Sequence, residues 1–134
     1  MKKSFSMIAV SQLLIAAAAY ADAPVVVIVN PAAANLTKEQ VSDLFLGKIK
    51  IYKPLDLPNS APAKAEFYQK VSGHDLSQVK ATWARLLFTG QAQPPKELSD
   101  AAAVKKAVAA DPKAVGYISK SDVDNSVKVI LELP

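Results

Sequence analysis

The sequence predicts an α/β domain in which a mixed sheet is flanked by about four helices. Three observations carry that expectation. Val25 to Val29 is an uninterrupted run of four Val and one Ile, bounded by Pro24 and by Asn30-Pro31. A short β-branched run of this kind reads as a strand buried on both faces, the usual state in a parallel sheet. Leu36 to Lys48 is a short helix with both of its boundary signals. Thr37 and Gln40 stand at capping-box spacing, Val41, Leu44 and Phe45 share one face, and Gly47 supplies a left-handed stop. Strand-like segments then recur between helical ones to the end of the chain, the pattern of helices packed on a sheet.

The remaining elements follow in order. Lys50 to Leu57 is a second extended segment, and Pro54 suits it to an edge or a short irregular strand. Ser60 is expected to cap a second helix with Pro62 in its first turn, where proline is tolerated. Phe67, Val71 and Ala63 face inward, and Gly73 ends it. Asp75 caps a third helix, with Gln78 completing another capping box. Its apolar face is Leu76, Val79, Trp83, Leu86 and Leu87, and Gly90 terminates it. After the loop Gln91 to Leu98, stiffened by Pro94-Pro95, Ser99 or Asp100 starts an Ala-rich fourth helix ending at Asp111-Pro112, with Val104, Ala107 and Val108 inside. Ala114 to Ser119 and Val127 to Leu133 are the last strands, joined by a polar connection around Asp122-Val123-Asp124. No internal repeat, low-complexity linker or second domain is visible.

The N-terminus bears on location. Lys2 and Lys3 precede an apolar run from Met7 to Ala19, and Ala19-Tyr20-Ala21 gives a small-x-small cleavage pattern. That is the three-part layout of a secretory signal peptide, and the run falls short of the ~20 residues a membrane-spanning helix needs. Residues 1–21 are expected to be a signal peptide and 22–134 the folded domain. The 113 residues left of 134 are enough for one core. With no Cys in the chain, a lipid-attached cysteine and disulfides are both excluded, and a periplasmic protein that is not lipid-anchored is the expectation.

Composition narrows the chemistry. Without Lys2 and Lys3 the net charge falls from +4 to +2, and the remaining charges are interspersed. A nucleic-acid surface shows a concentrated basic stripe; none is present, so no nucleic-acid partner is expected. Nor does any helix combine a basic face with bulky apolar anchors for a membrane surface. His74, the only histidine, sits in a Gly-His-Asp junction between two helices. A His beside Asp can act as a general base, but a helix-joining loop favours a surface residue. With one His and no Cys, a zinc site lacks its usual ligands. Asp122 and Asp124 lack the other ligands of a calcium loop and read as turn residues. There is no glycine-rich phosphate loop and no Gly-x-Ser-x-Gly elbow. The reading is a non-enzyme with no catalytic residues, metal or cofactor.

Two segments carry a family resemblance. Leu36-Thr-Lys-Glu-Gln-Val-Ser-Asp-Leu-Phe-Leu-Gly-Lys48 resembles the Leu-Thr-x-x-Gln-(Val/Leu)-x-x-(Ile/Leu)-Phe-x-Gly-Lys segment of the periplasmic phosphate-binding proteins that serve ABC transporters. Asp111-Pro-Lys-Ala-Val-Gly-Tyr-Ile118 is similar to the family's segment where a helix ends and the chain re-enters the sheet. There Gly116 allows close backbone packing, and Tyr117 is expected to pack its ring while its hydroxyl stays wet. Phe67-Tyr68-x-x-Val71-x-Gly73 is placed like the helix after the family's phosphate loop. The matches together span about Val25 to Leu133.

The resemblance implies one periplasmic-binding-protein-like lobe of a family whose members enclose their ligand between two. It also implies a location for an anion. In the family a strand ends in an Arg, and four residues later a Ser-Gly-Thr begins a helix whose hydroxyls and N–H groups hold phosphate. Here Ser60 is retained, but Asp56 stands in the place of the Arg and Pro62 in the place of the Thr. A carboxylate there reverses the largest interaction, and proline offers neither hydroxyl nor N–H. The expectation is weak, salt-sensitive binding of phosphate or another small oxyanion by Asn59, Ser60 and Lys64, in an exported solute-binding-like protein. Ser60 has a plainer role as a helix cap. A second cluster is Arg85, Thr89 and Gln91, where Arg85 is also explained by a solvated helix C-terminus. The implied partner is a membrane transporter or another periplasmic protein. The alternative is a periplasmic interaction module that keeps the fold and has lost the ligand site.

Overall fold

The computed structural model describes residues 23–134, so the expected signal peptide lies outside the described residues. The domain is built on a five-stranded sheet, with strands β1 (Val25–Val29), β2 (Lys53–Asp56), β3 (Lys96–Glu97), β4 (Ala114–Ser119) and β5 (Lys128–Leu133) in the order β3-β2-β4-β1-β5. Helices α1 (Lys38–Phe45), α2 (Pro62–Ser72), α3 (Leu76–Phe88) and α4 (Ala101–Ala110) flank it, with a short 3-10 turn at Lys120–Asp122. This is the mixed α/β architecture that the sequence predicts.

β1 lies inside the sheet between β4 and β5, and all five of its side chains are buried. Fully burying each Val or Ile stabilises the fold by about 1.5–3 kcal/mol before ordering costs. Its neighbours β4 and β5, however, run antiparallel to it. A strand covered on both faces reads as the same apolar run in either direction, so the pattern carries burial but not direction. The parallel pairs are β2 with β4 and β2 with β3. Pro54 pairs with Val115 on the β4 side, whereas β3 reaches only Leu55 and Asp56. Pro54 therefore sits where β2 is still an edge and its missing N–H breaks no ladder bond. The two-residue β3 lies within what the sequence reads as a loop. It has no apolar alternation to announce it.

The helix boundaries follow local chemistry. Thr37 and Gln40 form a reciprocal capping box on α1, and Asp75 and Gln78 do so on α3. Gly47 stands at φ 81° after α1, and a Cβ there would lie 2.7 Å from the Leu86 side chain and 3.0 Å from Trp83. Trp83 donates its indole N–H to the Phe45 carbonyl at 3.1 Å, locking α3 to the end of α1. Gly116 makes the other close approach: an added Cβ would meet a Val104 methyl at 2.5 Å, so α4 rests directly on β4. The apolar face of α3 is shorter than the spacing predicts. Val79 and Trp83 are buried and Leu76 and Leu86 partly so, while Leu87 is exposed.

Candidate functional site

The site implied by sequence lies at the carboxyl end of β2, where the chain turns into α2. Strand alternation sends Leu55 to the α4 side, within 3.8 Å of the Cβ position of Gly116, and Asp56 to the opposite face. Asp56 is only 5% exposed. One carboxylate oxygen accepts the Tyr117 hydroxyl and the Leu57 N–H, the latter at 2.9 Å. The other accepts the Tyr68 hydroxyl at 2.7 Å and lies 3.8 Å from the Lys64 ammonium. Lys64, itself 8% exposed, also reaches Glu97 of β3 at 3.4 Å. The parallel register that sets Asp56 beside Glu97 positions that second acid.

Packing fixes the donors. The Tyr117 ring stacks on Phe67 with centroids 4.0 Å apart and planes at 5°, and Phe45 meets Phe67 edge-on at 4.7 Å. Both tyrosine rings are fully buried. The Tyr117 hydroxyl is therefore buried on Asp56 rather than wet, because the strand's inward face carries it toward the end of β2. Burial, then the negative charge of Asp56, raises both tyrosine hydroxyls well above their usual range. They stay protonated at neutral pH and serve as permanent donors.

This geometry decides what the expected anion residues can do. Lys64 is part of the inner stripe of α2, with Phe67, Tyr68 and Val71, and its charge is committed to two carboxylates. Asn59 and Lys64 line a small cavity of about 270 Å³, together with Lys80, Asp56 and Glu97; two cations and two acids leave no net pull on an anion. Ser60 is exposed and outside that lining. Ser60 does not cap α2 either: Ala61 is the N-cap and gives no side-chain bond. The Ala61 N–H closes a turn onto the Pro58 carbonyl, and the Lys64 N–H is taken by the Ala61 carbonyl at 3.0 Å. Because Pro62 occupies the first helical position and has no N–H, the helix offers an incoming oxyanion little beyond the Ala63 N–H.

The second cluster is only partly assembled. Arg85 and Gln91 line a cavity of about 390 Å³ with Lys48 and His74, whereas Thr89 turns its hydroxyl back onto the carbonyls of Arg85 and Leu86. His74 is half-buried, with Nδ1 3.0 Å from the Ser72 carbonyl. Asp122 and Asp124 are surface residues; Asp124 pairs with Lys105 at 2.9 Å. Among the described residues no group of three His, Cys, Asp or Glu side chains is arranged to hold a metal, and no helix is long and apolar enough to cross a membrane.

Comparison with solved structures places this fold. It is similar to an ABC-type phosphate transport receptor from Vibrio cholerae (21% identity, TM-score 0.61), covering 80% of this chain and 45% of that one. It is also similar to a phosphate ABC transporter substrate-binding protein with bound phosphate from Clostridium perfringens (18%, TM-score 0.63), covering 80% and 44%. PstS from Borrelia burgdorferi matches at 12% identity and TM-score 0.61, covering 81% and 46%. These neighbours are binding proteins rather than enzymes. The chain spans less than half of their length, the extent of a single lobe, and has the fold of a phosphate-type solute-binding protein over that extent. No family model matches the sequence.

Proposed function

We propose that the protein is an exported, periplasmic, one-lobed solute-binding-like protein whose phosphate position is filled by its own Asp56. The observation that carries this is the saturation of Asp56 by Tyr68, Tyr117, the Leu57 N–H and Lys64 at the carboxyl end of β2. The bonds that would hold an oxyanion there are made to an internal carboxylate instead. Asn59, Ser60 and Lys64 then give phosphate or another small oxyanion only weak, salt-sensitive binding, and the natural partner is a membrane transporter or another periplasmic protein. Thermal denaturation tests this. At 10 mM phosphate or sulfate, against chloride of equal ionic strength, the expected shift in Tm is under ~2 °C. A shift above ~5 °C at that concentration means millimolar binding or tighter and overturns the reading.

The alternative, an interaction module, is favoured by a separate observation. Phe88 is 92% exposed, beside Leu87 at 52% in the same helix turn, and Ile51 is 66% exposed. The adjacent Leu87 and Phe88 make an exposed apolar pair that a protein partner would cover. Light scattering of the chain and of its Phe88→Asp variant addresses self-association: a dimer that the variant dissolves supports the module, and a monomer in both cases counts against self-association.

A further inference from the structure

A further cavity lies away from the end of β2. It has a volume of about 580 Å³ and lies beside the opposite, amino-terminal half of β2, where β3 leaves the strand uncovered. Leu44, Tyr52, Leu55, Trp83, Pro94 and Ala107 give it an apolar lining. Its charged groups are three lysines and one acid: Lys50, Lys53, Lys96 and Asp111. Lys53 pairs with Asp111 at 3.0 Å. Lys50 gives its ammonium to the neutral Gln91 carbonyl, and Lys96 makes no ion pair among the described residues. The cavity thus has an apolar body and two cations without carboxylate partners, where the cavity at the end of β2 is charge-balanced.

We propose that this cavity is a binding site for a small organic carboxylate with a compact apolar body. The inference rests on the solute-binding reading and names the class of solute. At the ~30 Å³ that one water occupies in the liquid, the space accommodates up to about 20 non-hydrogen atoms, and its volume is within the range of small-molecule sites. An apolar body displaces water from Leu44, Leu55 and Trp83, while the carboxylate meets Lys50 and Lys96. Inorganic phosphate lacks the body, and a neutral alcohol lacks the charge, so neither matches the lining.

Trp83, the only tryptophan in the chain, lines this cavity and also the one at Asp56, so its emission reports binding and a variant confined to this cavity assigns it. Titrating the purified protein with octanoate while following tryptophan emission is expected to give a saturable change with a Kd of about 1 mM or tighter. Binding of 1-octanol is expected to be at least about fivefold weaker, and Lys50→Ala/Lys96→Ala is expected to weaken octanoate by a similar factor. Ala107→Leu, which narrows this cavity without touching the one at Asp56, abolishes the response. No saturable change up to 10 mM octanoate overturns the proposal. So does an unchanged response in Ala107→Leu, or equal affinity for 1-octanol. Failure of octanoate alongside a negligible phosphate shift removes this site only, whereas a large phosphate shift overturns the filled position at Asp56 and leaves this site to be judged by octanoate.

Discussion

At the scale of single residues, Asp56 is the residue on which the site turns. It is a buried acid whose oxygens are satisfied by two hydroxyls, one N–H and one ammonium. Removing it strands the Tyr68 and Tyr117 hydroxyls in a dry environment, and stranded polar groups are costly. Lys64 keeps Glu97, and the Leu57 N–H keeps the Tyr117 oxygen. Asp56→Ala is expected to destabilise the fold by about 3 kcal/mol in urea unfolding. Lys64→Met leaves Asp56 with its two tyrosines and the Leu57 N–H, and is expected to cost under about 1.5 kcal/mol. Equal losses from the two variants would mean that the ion pair, not the tyrosine bonds, holds the acid. The sequence makes the substitution at Asp56 legible but not its consequence. In the sequence Lys64 is a candidate anion ligand, yet its i+4 neighbour Tyr68 and the buried Phe67 place it on the inner stripe. A charged residue three or four positions before inward aromatics is the signal that could have found it.

At the scale of elements, boundaries set by local chemistry are the legible ones. The capping boxes at Thr37 and Asp75 and the glycine stops are short-range, so spacing alone reveals them. Pairing is not: the antiparallel run of β1 beside β4 and the two-residue β3 depend on contacts distant in sequence. The close approach of α4 to β4 is legible at one residue, Gly116. A Cβ 2.5 Å from a Val104 methyl forces α4 outward or Val104 from its rotamer. Gly116→Ala is therefore expected to cost about 2 kcal/mol, and Gly116→Ala with Val104→Ala to recover part of it. Full additivity of the two losses in a denaturation cycle would show that the contact is not what constrains the glycine.

At the scale of the whole molecule, ionisation bounds the stable range. Asp75, Asp111 and Asp124 are held below the usual carboxylate range, each first by a hydrogen bond: the Gln78 N–H, the Lys113 N–H and the Ser126 side chain respectively. Depressed folded-state values contribute stability above the unfolded value near 3.8, lost as pH falls through the folded values. Tyr68 and Tyr117 are raised, so their contribution is complete below the unfolded value of 10.0 and fades as pH climbs beyond it. The melting temperature is expected to hold between about pH 5 and 9 and to fall on both sides. Tyr68→Phe should soften the alkaline fall; an unaltered alkaline limb in that variant contradicts the assignment. The fold matches one lobe of phosphate-type binding proteins, and under the proposed function Asp56 fills the place of the anion. Calorimetric titration of the protein with phosphate at low ionic strength tests this most directly. The expected isotherm shows no binding tighter than about 1 mM; a saturable micromolar isotherm would contradict the filled site.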